Sequence, residues 1–307
     1  MSTVIDTVTE NAGRSCPLHY RYGAERIASA PLRPCDTLYV VGGLYGNLQA
    51  LDAIEAMAAQ EPGDVTLCFN GDFNWFNVDP QRFAEINRRV LAHHATAGNV
   101  EAELASHSSD AGCGCAYPES VDAGTVERSN RIHARLKQVA DQFPEVQAQL
   151  AALPFFARYQ VGECRVGVVH GDADSLAGWR FEGASLQNPA NAEWLDAAFN
   201  SAQVDVFASS HTCKPALKVC AADDRCVINN GAAGMPNFAG DCRGLITRIS
   251  TRQSPHGSMY GARVAGAYVD ALPVPYDHAA WRQSFVSQWL LGSDAYVSYF
   301  ARIEGRL

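Results

Sequence analysis

Short apolar runs rich in β-branched residues alternate along this chain with segments of helical spacing, and several of the runs stop at glycine beside a polar residue. Residues 37–41, Thr-Leu-Tyr-Val-Val, read as a strand that turns at Gly42 and Gly43. From Asn47 onward Leu48, Leu51, Ile54 and Ala58 fall on one helical face, so a helix follows. A second strand is expected over 64–69. A second helix opens at Pro80, where proline is tolerated in a first turn, and runs to about position 91. Further strands are expected at 155–161, 165–169 and 204–208, with a helix over 191–199 and shorter strands at 217–220, 226–228 and 245–249. The tail predicts a strand over 267–272, then a helix carrying Trp281, Phe285 and Trp289.

Two stretches break the alternation. Residues 1–36 have little periodicity and contain Pro31 and Pro34, so they are expected to form a leader that packs on the core or stays mobile. Between 101 and 153 a Ser-, Gly- and Cys-rich stretch with Cys113-Gly114-Cys115 precedes helical spacing through Val126, Ile132, Leu136 and Val139, then Val146 and Leu150. A long irregular segment inside a compact domain usually has a function, so this one is expected to be a loop and helical cap over a site. The remainder, 37–307, is expected to be a single domain because its polar signatures are spread over most of its length.

Four of those signatures end apolar runs: Gly42-Gly43-Leu44-Tyr45-Gly46-Asn47, Asn70-Gly71-Asp72, His170-Gly171-Asp172 and Ser209-Ser210-His211-Thr212-Cys213. A fifth, Gly98-Asn99-Val100-Glu101, lies between the second and third. In α/β sheets ligands bind at the carboxyl ends of parallel strands, so Asp72, Asn99, His170 and His211 can form one constellation. Two imidazoles, a carboxylate and an amide oxygen suit zinc, manganese or iron better than calcium. Each residue also has a plainer role. Asp72 can close its own turn, Asn99 can hold a left-handed turn, and either histidine can be a core residue donating to a carbonyl.

Composition narrows the function classes. A formal charge of −9 and no Lys/Arg-rich run argue against nonspecific nucleic-acid binding, which depends on clustered cations. No apolar run approaches the roughly 18 residues of a membrane span, and residues 1–30 lack the make-up of a secretory signal, so a cytoplasmic location is expected. Ten cysteines in 307 residues are too few for a disulfide-dense scaffold.

The ordered set of signatures resembles the calcineurin-like metallophosphoesterase superfamily over residues 37–280. The family pattern is Asp-x-His-Gly, Gly-Asp, Gly-Asn, His-Gly and Gly-His-x-His, followed by a turn matched here by Asn229-Asn230-Gly231-Ala232. The resemblance implies a four-layer α/β/β/α sandwich of two mixed sheets. It also implies a metal held by Asp72, Asn99, His170 and His211. The ligands of the family's other metal become Gly43, Tyr45 and Cys213, so the losses fall on one site. One ion is therefore expected, with a rebuilt second site from Tyr45, Cys213, Cys113 and Cys115 as the alternative to side chains that merely fill the space. Val100 stands where many members carry a histidine that protonates the leaving group, leaving His107 and His133 as weak candidates for that role. Asp172 and Asp174 could orient an imidazole, and Lys214, Arg128 and Arg131 could contact a phosphate. The implied function is metal-dependent hydrolysis of a phosphate mono- or diester, with a small phosphorylated substrate. A silent binding module and iron or thiol redox chemistry are the alternatives.

Overall fold

The computed structural model describes residues 12–106, 108–220 and 224–306. Twelve strands occur among the described residues: β1 (Leu32–Pro34), β2 (Thr37–Val41), β3 (Val65–Asn70), β4 (His94–Thr96), β5 (Phe156–Val161), β6 (Cys164–Val169), β7 (Val206–Ser209), β8 (Pro215–Cys220), β9 (Arg225–Asn230), β10 (Gly244–Ser250), β11 (Tyr260–Val264) and β12 (Ala267–Val274). They form two six-stranded sheets, in the orders β1-β5-β6-β7-β9-β8 and β11-β12-β10-β2-β3-β4. Both are mixed. In the first, β6, β7 and β9 run parallel, and in the second β2, β3 and β4 do.

The alternation of a strand sorts its side chains between two buried faces. Leu38 and Val40 of β2 and Cys68 of β3 share a fully buried cluster with Val166, Val168, Val206, Ala208 and Ile228 of the other sheet, which fixes the sheets face to face. Tyr39 and Val41 point the opposite way, with Leu67 and Phe69, onto the helices Leu48–Ala58, Pro80–Val90, Ala123–Ala140, His278–Gln288 and Asp294–Ile303. On the far side Phe207 and Val227 pack against Ile27, Leu195 and Phe199 of the helices Ala24–Ala28 and Ala192–Ala202. The result is the four-layer α/β/β/α sandwich, and burial on both sheet faces explains why β2 reads as a continuous apolar run.

Residues 12–36 belong to this body. Tyr20 and Ile27 are fully buried, and β1 pairs in parallel with β5. In the 101–153 stretch two helices, Ala123–Ala140 and Pro144–Ala151, bury Val126, Ile132, Leu136, Val139 and Leu150, as their spacing requires. Several short elements are not expected from the sequence, among them β1, β4, β11 and the helices Ala24–Ala28, Asn99–Ala105, Gly183–Gln187 and Asp294–Ile303. β4 is too short to show periodicity, β11 is an edge strand with polar and glycine positions, and Asp294–Ile303 is a half-exposed helix. No helix among the described residues is long and apolar enough to cross a membrane.

Candidate metal centre

The parallel strands of both sheets deliver their carboxyl ends to one edge of the sandwich. β3 ends at Asn70 and turns through Gly71 into Asp72, β6 delivers His170, β7 delivers His211, and Asn99 opens the helix Asn99–Ala105 beyond β4. All four residues are buried, at most 6% exposed. His170 Nε2 lies 3.1 Å from Asn99 Oδ1, 3.2 Å from His211 Nδ1 and 3.4 Å from Asp72 Oδ2. Ligand atoms held about 2.0–2.1 Å from a tetrahedral ion lie roughly 3.3 Å apart, so these separations suit a shared cation.

Hydrogen bonding on the far side of each ring settles which atoms face inward. His170 Nδ1 meets the Asn70 carbonyl at 2.9 Å, and His211 Nε2 meets the Cys115 carbonyl at 3.0 Å. A nitrogen facing a carbonyl must donate, so His170 Nε2 and His211 Nδ1 both point lone pairs into the site. The Asn99 amide is oriented the same way, because its Nδ2 donates 2.8 Å to the Cys113 carbonyl and leaves Oδ1 inward. Four acceptors thus converge with no donor among them. They repel one another until a positive charge joins them, either a metal ion or a proton on His170. Burial pulls the His170 imidazole down, but the Asp72 carboxylate outweighs it and leaves it above its ordinary range. Burial, then the charge of His170, pushes His211 down to about 3. Burial works against the Asp72 charge, yet the two imidazoles hold its carboxyl below the usual range.

Glu101 has a structural part in this centre that its sequence context only hinted at. Its fully buried carboxylate accepts from the backbone N–H groups of Asp72 at 2.6 Å, Gly98 at 3.1 Å and Asn74 at 3.1 Å. It therefore ties the β3 loop to the start of the Asn99 helix, and a glutamate three residues after the N-cap Gly98, reaching back to its N–H as in one half of a capping box, is the signal that could have found it. Burial, then the Asp72 charge, pushes Glu101 up to about 7.

Next to this cluster Tyr45 and Cys213 fill the space over Gly43. A side-chain carbon on Gly43 would lie 2.8 Å from the Tyr45 ring, so the phenol stands where the family pattern has an aspartate. The Tyr45 hydroxyl meets Cys213 Sγ at 2.7 Å. Burial, then Cys213 and Asp72, holds the phenol protonated well above its ordinary range, and burial also pushes the Cys213 thiol up. Asp72, His170 and His211 are the one cluster of three or more His, Cys, Asp or Glu donors found among the described residues, and no cysteine joins it. Cys113 and Cys115 act through their carbonyls. The Cys115 thiol is pushed well up by burial and then by Cys113.

The other sequence candidates lie elsewhere. Asp172 does not touch an imidazole; it accepts from the N–H groups of Asp174, Ser175 and Arg180 and so closes the loop bearing Trp179. Asp174 accepts from the Trp194 indole. Main-chain carbonyls do the orienting that the sequence assigned to these two carboxylates. His133 is buried behind Val100, whose carbonyl is 3.4 Å from its Nε2, and burial lowers it to about 4. His107 lies outside the described residues. Arg128 bonds Ser298 and Thr125, Arg131 pairs with Asp294, and Lys214 is 76% exposed and 4.0 Å from Glu182. None of the three lines the cavity of about 130 Å³ in front of Asp72, Asn99 and His211, whose walls include Trp75, Val100, Tyr117, Trp179 and Tyr299.

No family model and no curated protein matches this chain. Solved structures do. A metallophosphoesterase from Sphaerobacter thermophilus aligns over 89% of this chain and 100% of its own at 17% identity, with a TM-score of 0.53. A hypothetical protein from Pyrococcus horikoshii aligns over 86% of this chain and 97% of its own at 15% identity, with a TM-score of 0.55. Identities this low speak to the fold, and together with the two six-stranded mixed sheets they show that this chain has a calcineurin-like metallophosphoesterase fold in a divergent form.

Proposed function

We propose that the protein is a metal-dependent phosphoester hydrolase working with one ion, zinc, manganese or iron, held by Asp72, Asn99, His170 and His211. The observation that carries this is the convergence of four buried acceptors whose outward atoms are all committed to main-chain carbonyls or amides. Such an ion supplies Lewis-acid polarisation of a phosphoryl oxygen and makes water more acidic. The chain's own residues do the rest. Asp72 and the two imidazoles fix the charge and geometry of the cluster. Glu101 holds the Asp72 and Asn99 loops in register through three backbone N–H groups. The neutral Tyr45–Cys213 pair walls off the neighbouring position, and the cavity opens between the buried Trp75 and the half-buried Tyr117, Trp179 and Tyr299.

Val100 in place of a proton donor and the filled neighbouring position favour a second reading, a binding module that keeps its ion without turnover. Among the described residues no cysteine joins the donor group of Asp72, His170 and His211, which gives no support to an iron–thiolate redox centre. Hydrolysis of an aryl phosphate by metal-loaded wild type and the Asp72→Ala variant separates the first two. The hydrolase predicts a loss of more than about a hundredfold in the variant, since disturbing even an outer partner of a metal ligand costs about 10–100-fold. Bound metal with no Asp72-dependent hydrolysis favours the binding module.

A further inference from the structure

The cavity in front of the cluster is unusual for a phosphate site in having no lysine or arginine in its walls, and Asp72 is its one acidic side chain. The nearest cations are engaged outside it. Arg302 donates to the Pro236 carbonyl at 2.7 Å and to Asn237, and Lys214 points to solvent beside Glu182. Glu101, buried behind Asp72, adds no positive charge. With a dication, the walls and the ion together carry at most one net positive charge, and the Glu101 carboxylate behind Asp72 subtracts from it when ionised. One positive charge balances a phosphodiester, which has one negative charge, and leaves a phosphomonoester dianion with one charge unmatched in a site of low dielectric.

Much of the remaining surface is aromatic. Trp75 comes from the β3 loop, Tyr117 from the 101–153 stretch, Trp179 from the β6 loop and Tyr299 from the last helix, so four separate segments bring rings to one opening. Trp179 is held in place by its indole N–H, which donates 3.1 Å to the Cys115 carbonyl, and it stands 5.2 Å from the His211 ring and 5.8 Å from the Tyr117 ring. The cavity volume of about 130 Å³ is close to the ~150 Å³ that admits a benzene ring. Val100 occupies the wall where a leaving group would look for a proton, and the other donors there are phenols, thiols and a threonine, all weak acids. A leaving group in this cavity has to depart as a stable anion, as an aryloxide can and an alkoxide cannot.

We infer that the site takes an aryl phosphodiester, with its flat ring among Trp75, Tyr117, Trp179 and Tyr299. The inference rests on the hydrolase reading and specifies its substrate class. In the step it implies, a water oxygen forms a bond to phosphorus as the bond from phosphorus to the aryl oxygen breaks. The bonding pair leaves with the aryloxide, one water proton stays on the product monoester and the other passes to solvent.

Binding of inert analogues tests this without turnover. Zinc-loaded protein is titrated calorimetrically at pH 8 with methyl phenylphosphonate (ring, one charge), phenylphosphonate (ring, two charges) and dimethyl phosphate (one charge, no ring). The first should bind tighter than phenylphosphonate, whose second charge finds no partner in the walls, and about tenfold tighter than dimethyl phosphate, since stacking one ring on an aromatic side chain is worth about 1–3 kcal/mol. Trp179→Ala should lose that advantage at unchanged zinc content, and Trp179→Phe should keep most of it. Equal affinity for the one- and two-charge ring compounds overturns the inference while leaving the metal site intact, as does dimethyl phosphate binding as tightly as methyl phenylphosphonate. A protein that takes up no zinc, manganese or iron overturns the hydrolase reading and this inference with it.

Discussion

Asp72 occupies a left-handed backbone position, φ 54°, and so do Tyr45 at 56° and Cys213 at 57°. Such positions cost about 1–3 kcal/mol each for side chains of this kind and persist where surrounding contacts over-determine them. Here the contacts can be named: Glu101 on the Asp72 N–H, and the Tyr45–Cys213 hydrogen bond between the other two loops. His133 gives this scale a test in solution. Its buried imidazole is lowered to about 4, below the ordinary unfolded value near 6.5. Between those values the unfolded chain binds a proton that the folded chain refuses, so stability is present above pH 6.5 and lost as the pH falls. Urea unfolding of wild type and His133→Leu at pH 7 and pH 4.5 should show wild type losing about 2 kcal/mol more than the variant. Equal losses would mean that His133 titrates normally in the fold. The clustered residues Asp72, His170 and His211 were legible because each ends an apolar run. The atoms that aim His170, Asn99 and His211 were not, because they are the carbonyls of Asn70, Cys113 and Cys115, and any residue carries a carbonyl.

One short element outside the sheets decides the orientation of two ligands. Cys113-Gly114-Cys115 lies against the strand ends so that its first carbonyl holds the Asn99 amide and its second holds His211 and Trp179. Its thiols suggested ligation in the sequence, but its main chain makes these contacts. Gly114 allows the approach. It has φ +66°, and a side-chain carbon there would lie 2.6 Å from the Tyr20 hydroxyl and 2.9 Å from Glu103 Cγ. Gly114→Ala should therefore shift both carbonyls and lower metal affinity about 10–100-fold in a chelator competition, the range seen when ligand-orienting partners are lost. Gly240→Ala is the matched control, with φ +76° and nothing within 4 Å of the added carbon, and should leave metal affinity unchanged. If the two variants bind metal equally well, the segment does not orient the ligands. The helices following this segment were legible in the sequence from their spacing, because burial of one face writes itself into the residue order. The edge strand β11 does alternate, with Tyr260, Ala262 and Val264 more buried than Gly261 and Arg263, but five residues including a glycine are too short a run to stand out.

At the scale of the whole molecule, buried amides join the two sheets at the edge where the ligands meet. Asn70 at the end of β3 donates 2.8 Å to the Val169 carbonyl of β6, and Asn230 at the end of β9 donates to the carbonyls of Gly42 and Leu245 at 3.0 and 2.9 Å. The seam places His170 and His211 from one sheet opposite Asp72 and Asn99 from the other, so a correct sandwich and a correct site are the same event. The architecture was legible through the family resemblance that the ordered polar signatures carry, and the convergence of strand carboxyl ends added the place of the site. The filled position beside the cluster was open in the sequence between an empty and a rebuilt site, because only coordinates show that the Tyr45 ring lies over Gly43. Elemental analysis of the purified protein, after saturation with zinc or manganese and removal of excess, tests the central claim directly. The account predicts one ion per chain in wild type and none retained by Asp72→Ala. Two ions per chain, or undiminished metal in the variant, would contradict it.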